Sequence, residues 1–142
     1  MKTKILLVDD DPGVREMLGR VLEDQGYLVL PAGNGRDALD LAAATEIDLV
    51  LLDLNLPLKN GWDTFEQITT DNPLMPVVII TARPNQILTA LAAGAGALME
   101  KPLDFPKLLE DIRALLDETP QMRLARMAGR PADFHFTPRH RH

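Results

Sequence analysis

The sequence predicts an α/β protein built on a doubly wound parallel sheet of five strands. Several short apolar runs, among them residues 49–52 and 77–80, contain no polar alternation, which is typical of strands buried on both faces. These runs alternate with stretches whose apolar residues recur every three or four positions, as in amphipathic helices. Strands that alternate with helices in this way favour a parallel sheet with helices on both faces.

Composition limits the class of protein. The chain has 142 residues, 46% hydrophobic and 25% charged, which is ordinary for one globular domain. It has no cysteine, which excludes disulfides and thiolate metal sites and fits a cytoplasmic location. No run reaches the roughly 18 apolar residues of a membrane helix, and the first residues do not resemble a signal peptide.

The charge is unevenly distributed. Residues 1–120 hold 20 acidic and 10 basic side chains, a net charge of −10, whereas residues 121–142 have a net charge of +4. An acidic body argues against general binding of nucleic acid, so we expect no direct DNA binding. It is compatible with a site for a divalent cation.

The elements can be assigned in chain order. Pro12 lies where the first turn of a helix tolerates proline, Gly94 should close the fourth helix, and Asp104 should N-cap the last one. The predicted strands are residues 5–8, 28–30, 49–52, 77–80 and 97–99, and the apolar periodicity places a helix after each.

The strand order follows from the same residues. Pro31 ends the second strand, and proline is confined to edge strands, so this strand should lie at one edge. The short fifth strand should lie at the other edge. The order 2-1-3-4-5 results, a flavodoxin-like arrangement whose ligand crevice lies between strands one and three.

Polar residues follow four of the predicted strands. Asp9 and Asp10 follow strand one, Asp53 ends strand three, Thr81 follows strand four, and Lys101 follows strand five. Because parallel strands end at one edge of the sheet, we expect these side chains to lie together.

The chemistry of this group favours phosphoryl transfer. Carboxylates in close proximity repel one another unless a cation bridges them, and hard oxygen ligands suit Mg²⁺. Asp53 would be the nucleophile, Lys101 would neutralise charge on the transferred group, and the Thr81 hydroxyl would hydrogen-bond it. Taken singly, the acidic run could complement a helix dipole, Thr81 could be an ordinary hydroxyl at a strand end, and Lys101 could be a solvated lysine before a proline. The combination at one edge of the sheet favours a shared site.

At these positions the chain resembles the receiver domain of two-component response regulators, over about residues 3–118. The resemblance is carried by residues 5–10, residues 51–53 with Pro57 and Gly61, Thr81-Ala82, Gly94-Ala95 and Lys101-Pro102.

The resemblance implies a function and partners. Asp53 would accept a phosphoryl group from a sensor histidine kinase or a phosphotransfer protein, with Thr81 and Lys101 assisting. The protein would act as a phosphoacceptor switch rather than as an enzyme. The Mg²⁺ ligands would be Asp9, Asp10, Asp53 and the carbonyl of Asn55, with Asp9 acting through water.

One position departs from the family pattern. Leu98 stands where members usually carry Tyr or Phe, three residues before the lysine. An apolar side chain cannot present a polar tip to Thr81, so activation should depend on Thr81 and on backbone movement.

The chain divides into a receiver domain, residues 1–119, and a basic segment, residues 120–142. Since about 25 residues after the last receiver helix are too few for an effector domain, we expect output by contact with an unknown downstream protein. The resemblance implies that the face formed by the fourth helix, fifth strand and fifth helix is this surface, with Leu88, Leu91 and Leu98 as candidates. Packing in the core is an equally good interpretation of each of these leucines. A homodimer is also conceivable.

The basic segment has two interpretations. Arginines recur at helical spacing at Arg123, Arg126 and Arg130, which predicts a short helix to about Ala128. The segment is either a disordered terminus or docks on this body or a neighbour's, with arginines on acidic groups and Phe134 and Phe136 in an apolar groove. His135, His140 and His142 have no metal-ligand spacing with acidic residues, so we expect no metal site there.

Two other functions are compatible with parts of the sequence. A pseudo-receiver would bind partners without being phosphorylated. A haloacid-dehalogenase-type phosphatase would use an Asp-x-Asp pair, which Asp9 and Asp11 provide after an apolar strand, but Gly13 stands where that family has Thr or Val.

Overall fold

The computed structural model describes residues 2–57, 60–128 and 134–139, and within them it shows a parallel sheet covered by helices on both faces. The strands are β1 (Lys4–Val8), β2 (Leu28–Ala32), β3 (Leu49–Asp53), β4 (Val77–Thr81), β5 (Ala97–Glu100) and β6 (His135–Thr137). The helices are α1 (Pro12–Asp24), α2 (Gly35–Ala44), α3 (Gly61–Asp71), α4 (Ile87–Ala93), α5 (Phe105–Leu116) and α6 (Pro120–Met127).

The predicted flavodoxin-like fold and the order of the first five strands are confirmed. The order is β2-β1-β3-β4-β5-β6, so the sheet has six strands instead of five. The prediction that strand five is an edge was wrong, because β6 pairs with it in parallel. A strand of three residues followed by Pro138 has too little apolar pattern to be recognised in the sequence.

Pro31 lies within the edge strand β2, in register with Leu7 of β1. Proline has no N–H to donate, and an edge strand leaves one side of its backbone unpaired, so the residue is accommodated there. The prediction that β2 is an edge strand is confirmed.

The core consists of two layers, one on each face of the sheet. Alternate residues of each strand point to opposite faces, so each central strand contributes to both layers. One layer packs β-strand side chains such as Leu52 and Ile79 against α2, α3 and α4. The other packs Leu51 and Ile80 against α1 and α5. Each fully buried aliphatic side chain contributes about 1.5–3 kcal/mol, so these layers stabilise the strand ends that carry the site.

Most of the described helices begin after a short polar side chain that caps them, whereas α4 has no side-chain cap. Asp11 precedes α1 and accepts the N–H groups of Gly13 and Val14. Asp104 precedes α5 and accepts the N–H of Lys107, as predicted. These caps satisfy backbone donors that have no partner within the helix.

Gly61 fixes the path of the chain after β3. Its N–H donates to the carbonyl of Leu54 at 3.2 Å, and an ideal Cβ at this glycine would lie 2.4 Å from the Leu54 Cα. Because only glycine fits this close approach, Gly61 brings the start of α3 against the end of β3.

The helix α6 is anchored by buried charge. The side chain of Arg126 is 2% exposed and its Nη1 donates to Glu118, whose side chain is 4% exposed. Arg123 donates to the carbonyl of Leu115 at 3.3 Å. The predicted helix to about Ala128 corresponds to α6, with Ala128 as its C-cap, while Arg130 lies outside the described residues.

Across the described ranges, none of the helices combines the length and the apolar character needed to cross a bilayer.

Candidate functional site

Two buried carboxylates lie at the carboxyl ends of neighbouring strands. Asp53 is the last residue of β3 and Asp9 follows β1, and the side chains of both are almost fully buried. Because β1 and β3 pair directly, the two residues share one edge of the sheet. Asp10 is exposed beside them, and one carboxylate oxygen from each of the three lies within 4.8 Å of the others. The structure therefore brings together Asp9, Asp10 and Asp53, as expected from the sequence.

Lys101 joins the two buried carboxylates. Its Nζ donates to Asp9 Oδ2 at 3.0 Å and to Asp53 Oδ2 at 3.2 Å. Its backbone N–H donates to the carbonyl of Thr81 at 2.8 Å, which ties the residue to the end of β4. The peptide bond between Lys101 and Pro102 is cis.

The remaining oxygen of each buried carboxylate accepts a backbone N–H. Asp53 Oδ1 accepts from Asn55 at 3.0 Å, and Asp9 Oδ1 accepts from Asp11 at 3.0 Å. Such bonds hold both carboxylates in fixed orientations. Each of these hydrogen bonds spans two residues, so the chain turns directly after β1 and after β3.

Burial and charge act in opposite directions on Asp53 and Lys101. Burial raises the pKa of Asp53 above its ordinary 3.8, together with the charge of Asp9, although the Asn55 N–H and Lys101 oppose the change. Burial alone would lower the pKa of Lys101, but attraction to Asp53 and Asp9 outweighs it and the pKa is raised. The site thus holds a carboxylate whose charge is costly and an ammonium that is firmly protonated.

Thr81 ends β4 at the same edge and is fully buried. Its Oγ1 accepts the N–H of Arg83 at 2.9 Å, so the hydroxyl holds the loop after β4. The Arg83 side chain reaches Asn55 Oδ1 at 3.4 Å across the site. The loops after β3 and β4 are therefore in contact, with Thr81 at the base of one of them.

One contact of the site was not anticipated from the sequence. The guanidinium of Arg15, on α1, donates to the backbone carbonyl of Asp9 at 2.6 Å. Its spacing in α1 is that of an ordinary surface arginine, so no signal in the sequence identified it. Arg15 braces the loop after β1 from the helix side.

Asp11 takes no part in an Asp-x-Asp arrangement with Asp9. Its carboxylate accepts the N–H groups of Gly13 and Val14 at the start of α1. This geometry gives no support to the dehalogenase-type reading of residues 9–11.

Leu98 is fully buried in the core layer that faces α4. Of the two interpretations of Leu98, core packing is therefore the one that applies, and Leu98 is not part of a partner-binding surface because no part of it reaches solvent. Leu88 is 79% exposed and Leu91 is half-buried, so these α4 residues remain candidates. The outer edge of β5, part of the expected output face, is covered by β6.

Comparison with known proteins defines the class. The family model described as "Response regulator receiver domain" matches residues 5–113, so the chain belongs to the receiver-domain family of response regulators.

Sequence relatives agree with this assignment. The chain is 40% identical over 121 residues to the response regulator MprA of Mycolicibacterium vanbaalenii, covering 84% of this chain and 52% of that protein. It is 36% identical over 141 residues to MprA of Mycobacterium bovis, covering 97% of this chain and 61% of that protein. The chain therefore spans between half and two thirds of these relatives.

Solved structures show the same fold. A CheY-like receiver domain of Methanospirillum hungatei aligns with a TM-score of 0.79 at 30% identity, covering 82% of this chain and 95% of that one. The response regulator TrrA of Thermotoga maritima, solved in complex with Mg²⁺-BeF, aligns with a TM-score of 0.75 at 30% identity, covering 81% and 99%.

Proposed function

We propose that this receiver domain is a phosphoacceptor switch in which Asp53 takes a phosphoryl group from a histidine kinase or a phosphotransfer protein. The proposal is supported above all by one observation. Three carboxylates converge at the carboxyl ends of β1 and β3, and a single lysine bridges the two that are buried.

The transfer itself requires little from the protein beyond position and charge. A carboxylate oxygen of Asp53 attacks the phosphorus of phosphohistidine, an O–P bond forms as the N–P bond breaks, and the imidazole nitrogen leaves with the electron pair. Lys101 Nζ already lies 3.2 Å from Asp53 Oδ2, where it can neutralise the added phosphoryl oxygens. Thr81, which ends β4 at the same edge, would hydrogen-bond the phosphoryl group once its loop moves.

The acidic cluster also fits Mg²⁺. The donors are hard oxygens, and one of the three carboxylates, Asp10, is exposed so that a hydrated ion can reach it. Asp10, Asp53 and the carbonyl of Asn55 would hold the ion, with Asp9 assisting through water. The ion would offset carboxylate repulsion and draw charge from the phosphoryl oxygens. The TrrA complex with Mg²⁺-BeF is a precedent in a protein of the same fold.

Signal output would follow from movement of the loops after β3 and β4. Both loops meet through Arg83 and Asn55, and Thr81 lies beneath them. Leu98 is apolar and buried, and it stands where family members usually carry Tyr or Phe. The change would therefore reach a downstream protein through backbone displacement near α4 and not through rotation of an aromatic ring.

The assignment of Asp53 is tested by labelling. Incubation with acetyl phosphate and Mg²⁺ should add one phosphoryl group per chain, detected by intact mass, and Asp53→Asn should abolish the addition. Asp11→Asn, which changes an acidic residue that caps a helix, should label normally. Labelling that persists in Asp53→Asn but is lost in Asp9→Asn would instead support the dehalogenase-type chemistry.

A further inference from the structure

The single tryptophan of the chain is fixed to the end of β3. Trp62 is the second residue of α3, and Gly61 before it donates its N–H to the Leu54 carbonyl at 3.2 Å. The indole packs edge-on against the ring of Phe65, which is 4% exposed, with the ring centroids 5.5 Å apart and an interplanar angle of 73°. These backbone and ring contacts hold the indole in place relative to β3, the strand that ends in Asp53.

The indole N–H donates to the loop after β4. Trp62 Nε1 donates to Gln86 Oε1 at 3.1 Å, and Gln86 Nε2 donates to the carbonyl of Pro84 at 3.2 Å. Gln86 directly precedes α4, and its side chain does not cap that helix. Its amide group is instead held between the indole and its own loop. The bond joins residues 24 positions apart and so ties the start of α4 to the start of α3.

The loop between β4 and α4 depends on such contacts for its shape. Asn85 has a φ of 61°, in the left-handed region that residues other than glycine seldom adopt, and such a conformation persists only where its surroundings hold it. Within the described ranges, the other side-chain bond from this loop to the segment after β3 joins Arg83 to Asn55, and it is exposed and 3.4 Å long. A long bond in contact with water contributes little. Of the two, the bond between Trp62 and Gln86 is shorter and less exposed, so it is the stronger restraint on the loop.

The proposed phosphorylation requires this loop to move. The Thr81 hydroxyl now accepts the Arg83 N–H at 2.9 Å, and it has to approach a phosphoryl group on Asp53 in order to bond to it. Since the loop runs from Thr81 to Gln86, its displacement moves Gln86 relative to an indole that is fixed to β3. The bond to the indole therefore belongs to the unphosphorylated arrangement.

We propose that the hydrogen bond between Trp62 and Gln86 is a latch that holds the loop after β4 in its unphosphorylated position and opens when Asp53 carries a phosphoryl group. The proposal rests on the phosphoacceptor function proposed above. Trp62 is a positioning residue, because it acts on the site through the loop. The latch lowers the affinity of the site for a phosphoryl group, since part of the binding free energy is spent on breaking it.

The affinity for a phosphoryl analogue tests the latch. The probe is beryllofluoride with Mg²⁺, the analogue present in the TrrA structure, and its Kd is measured by calorimetry on the full chain. Trp62→Phe removes the indole N–H and keeps an aromatic ring, and Gln86→Met removes the acceptor. Each variant should bind about 2- to 12-fold more tightly, which is the factor that one hydrogen bond contributes to an equilibrium. The double variant should gain no more than either single variant, because both changes break the same bond.

A matched control and a spectroscopic signature accompany this measurement. Gln67→Met, the same change at an exposed position of α3, should bind like the unchanged chain. The chain has one tryptophan and therefore one indole cross-peak in the NMR spectrum of the nitrogen-labelled protein. That cross-peak should shift when beryllofluoride and Mg²⁺ are added to the unchanged chain. In Gln86→Met it should already be shifted in the same direction without the analogue, and in Gln67→Met it should not.

The outcomes separate the latch from the function on which it rests. A variant that is less stable but has an unchanged Kd would overturn the latch, because a contact present in both states does not alter the affinity. Weaker binding would overturn it too, by assigning the bond to the phosphorylated state. If the unchanged chain does not bind beryllofluoride with Mg²⁺, the phosphoacceptor function fails and the latch fails with it. Binding with one Kd in every variant overturns the latch alone.

Discussion

Three consecutive aspartates show how position decides the role of a side chain. Asp9 is buried and paired with Lys101, Asp10 is exposed at the rim of the acidic cluster, and Asp11 caps α1. Their chemistry is identical, so the different roles come from the turn between β1 and α1.

The raised pKa of Asp53 predicts a pH-dependent stability. A folded state with the higher pKa binds the proton more tightly, so this stabilisation is complete below the ordinary pKa of 3.8 and is lost as pH rises through the folded value. At neutral pH the buried charge costs stability. Asp53→Asn should therefore raise the melting temperature at pH 7 in EDTA, and the gain should shrink towards pH 4. A lower melting temperature at pH 7 would mean that the pair with Lys101 outweighs burial.

Asp10→Ala should separate metal binding from stability. Loss of an outer-shell partner typically costs about 10- to 100-fold in metal affinity, so loss of a direct ligand should weaken Mg²⁺ binding at least about tenfold, measured by calorimetry. The apo protein should melt at a higher temperature because repulsion is relieved. The neighbouring Asp11→Ala should leave Mg²⁺ affinity unchanged and lose roughly 1 kcal/mol of stability with its cap. Unchanged affinity in Asp10→Ala would remove this residue from the metal site.

The elements converge on the site because each strand ends at a turn that the sequence specifies. Gly61 allows α3 to start against Leu54, and Thr81 and Lys101 are joined by a backbone hydrogen bond between β4 and the end of β5. We therefore expect a substitution in one turn to change the positions of the carboxylates even when no site residue is altered.

Gly61→Ala should destabilise the protein, whereas Gly19→Ala should not. A Cβ at position 61 would lie 2.4 Å from the backbone of Leu54, which cannot move without distorting β3, and overpacking of this kind costs about 1–3 kcal/mol. At position 19, within α1, the nearest atom is the flexible Glu23 side chain at 3.8 Å, so alanine should stabilise by up to about 1 kcal/mol. Urea denaturation measures both; equal effects would contradict the steric argument.

The elements α6 and β6 extend the receiver fold beyond α5. The buried pair between Arg126 and Glu118 fixes α6 to the end of α5, and β6 then runs beside β5. The extension thus adds a strand at the β5 edge, and its Phe134 packs against one core layer.

Arg126→Ala should cost far more than removal of an exposed arginine. It leaves the Glu118 side chain, 4% exposed, without its main partner, and breaking a buried pair in this way costs about 3–5 kcal/mol. Arg20→Ala removes an exposed pair with Glu16 on α1 and should cost no more than about 0.5 kcal/mol. Thermal denaturation distinguishes them. Similar small effects would show that α6 adds little to the stability of the body.

Local patterns in the sequence were sufficient to predict the class of fold, the order of the first five strands and the group of residues at their carboxyl ends. Apolar runs indicate strands that are buried on both faces, and Pro31 indicates an edge strand. A charged residue at the end of a buried strand has a free-energy cost, so its presence indicates a functional site. These are local signals, and they were sufficient to bring Asp9, Asp53 and Lys101 together.

Other features of the site and of the sheet depend on contacts between elements that are distant in the sequence. Three such features depend on which elements pack against each residue. Asp11 caps α1, Arg15 supports the loop after β1, and Leu98 is buried. The strand β6 is three residues long and exists because β5 provides an edge for it. Short strands have little propensity of their own, so their pairing is set by contacts between residues far apart in the chain.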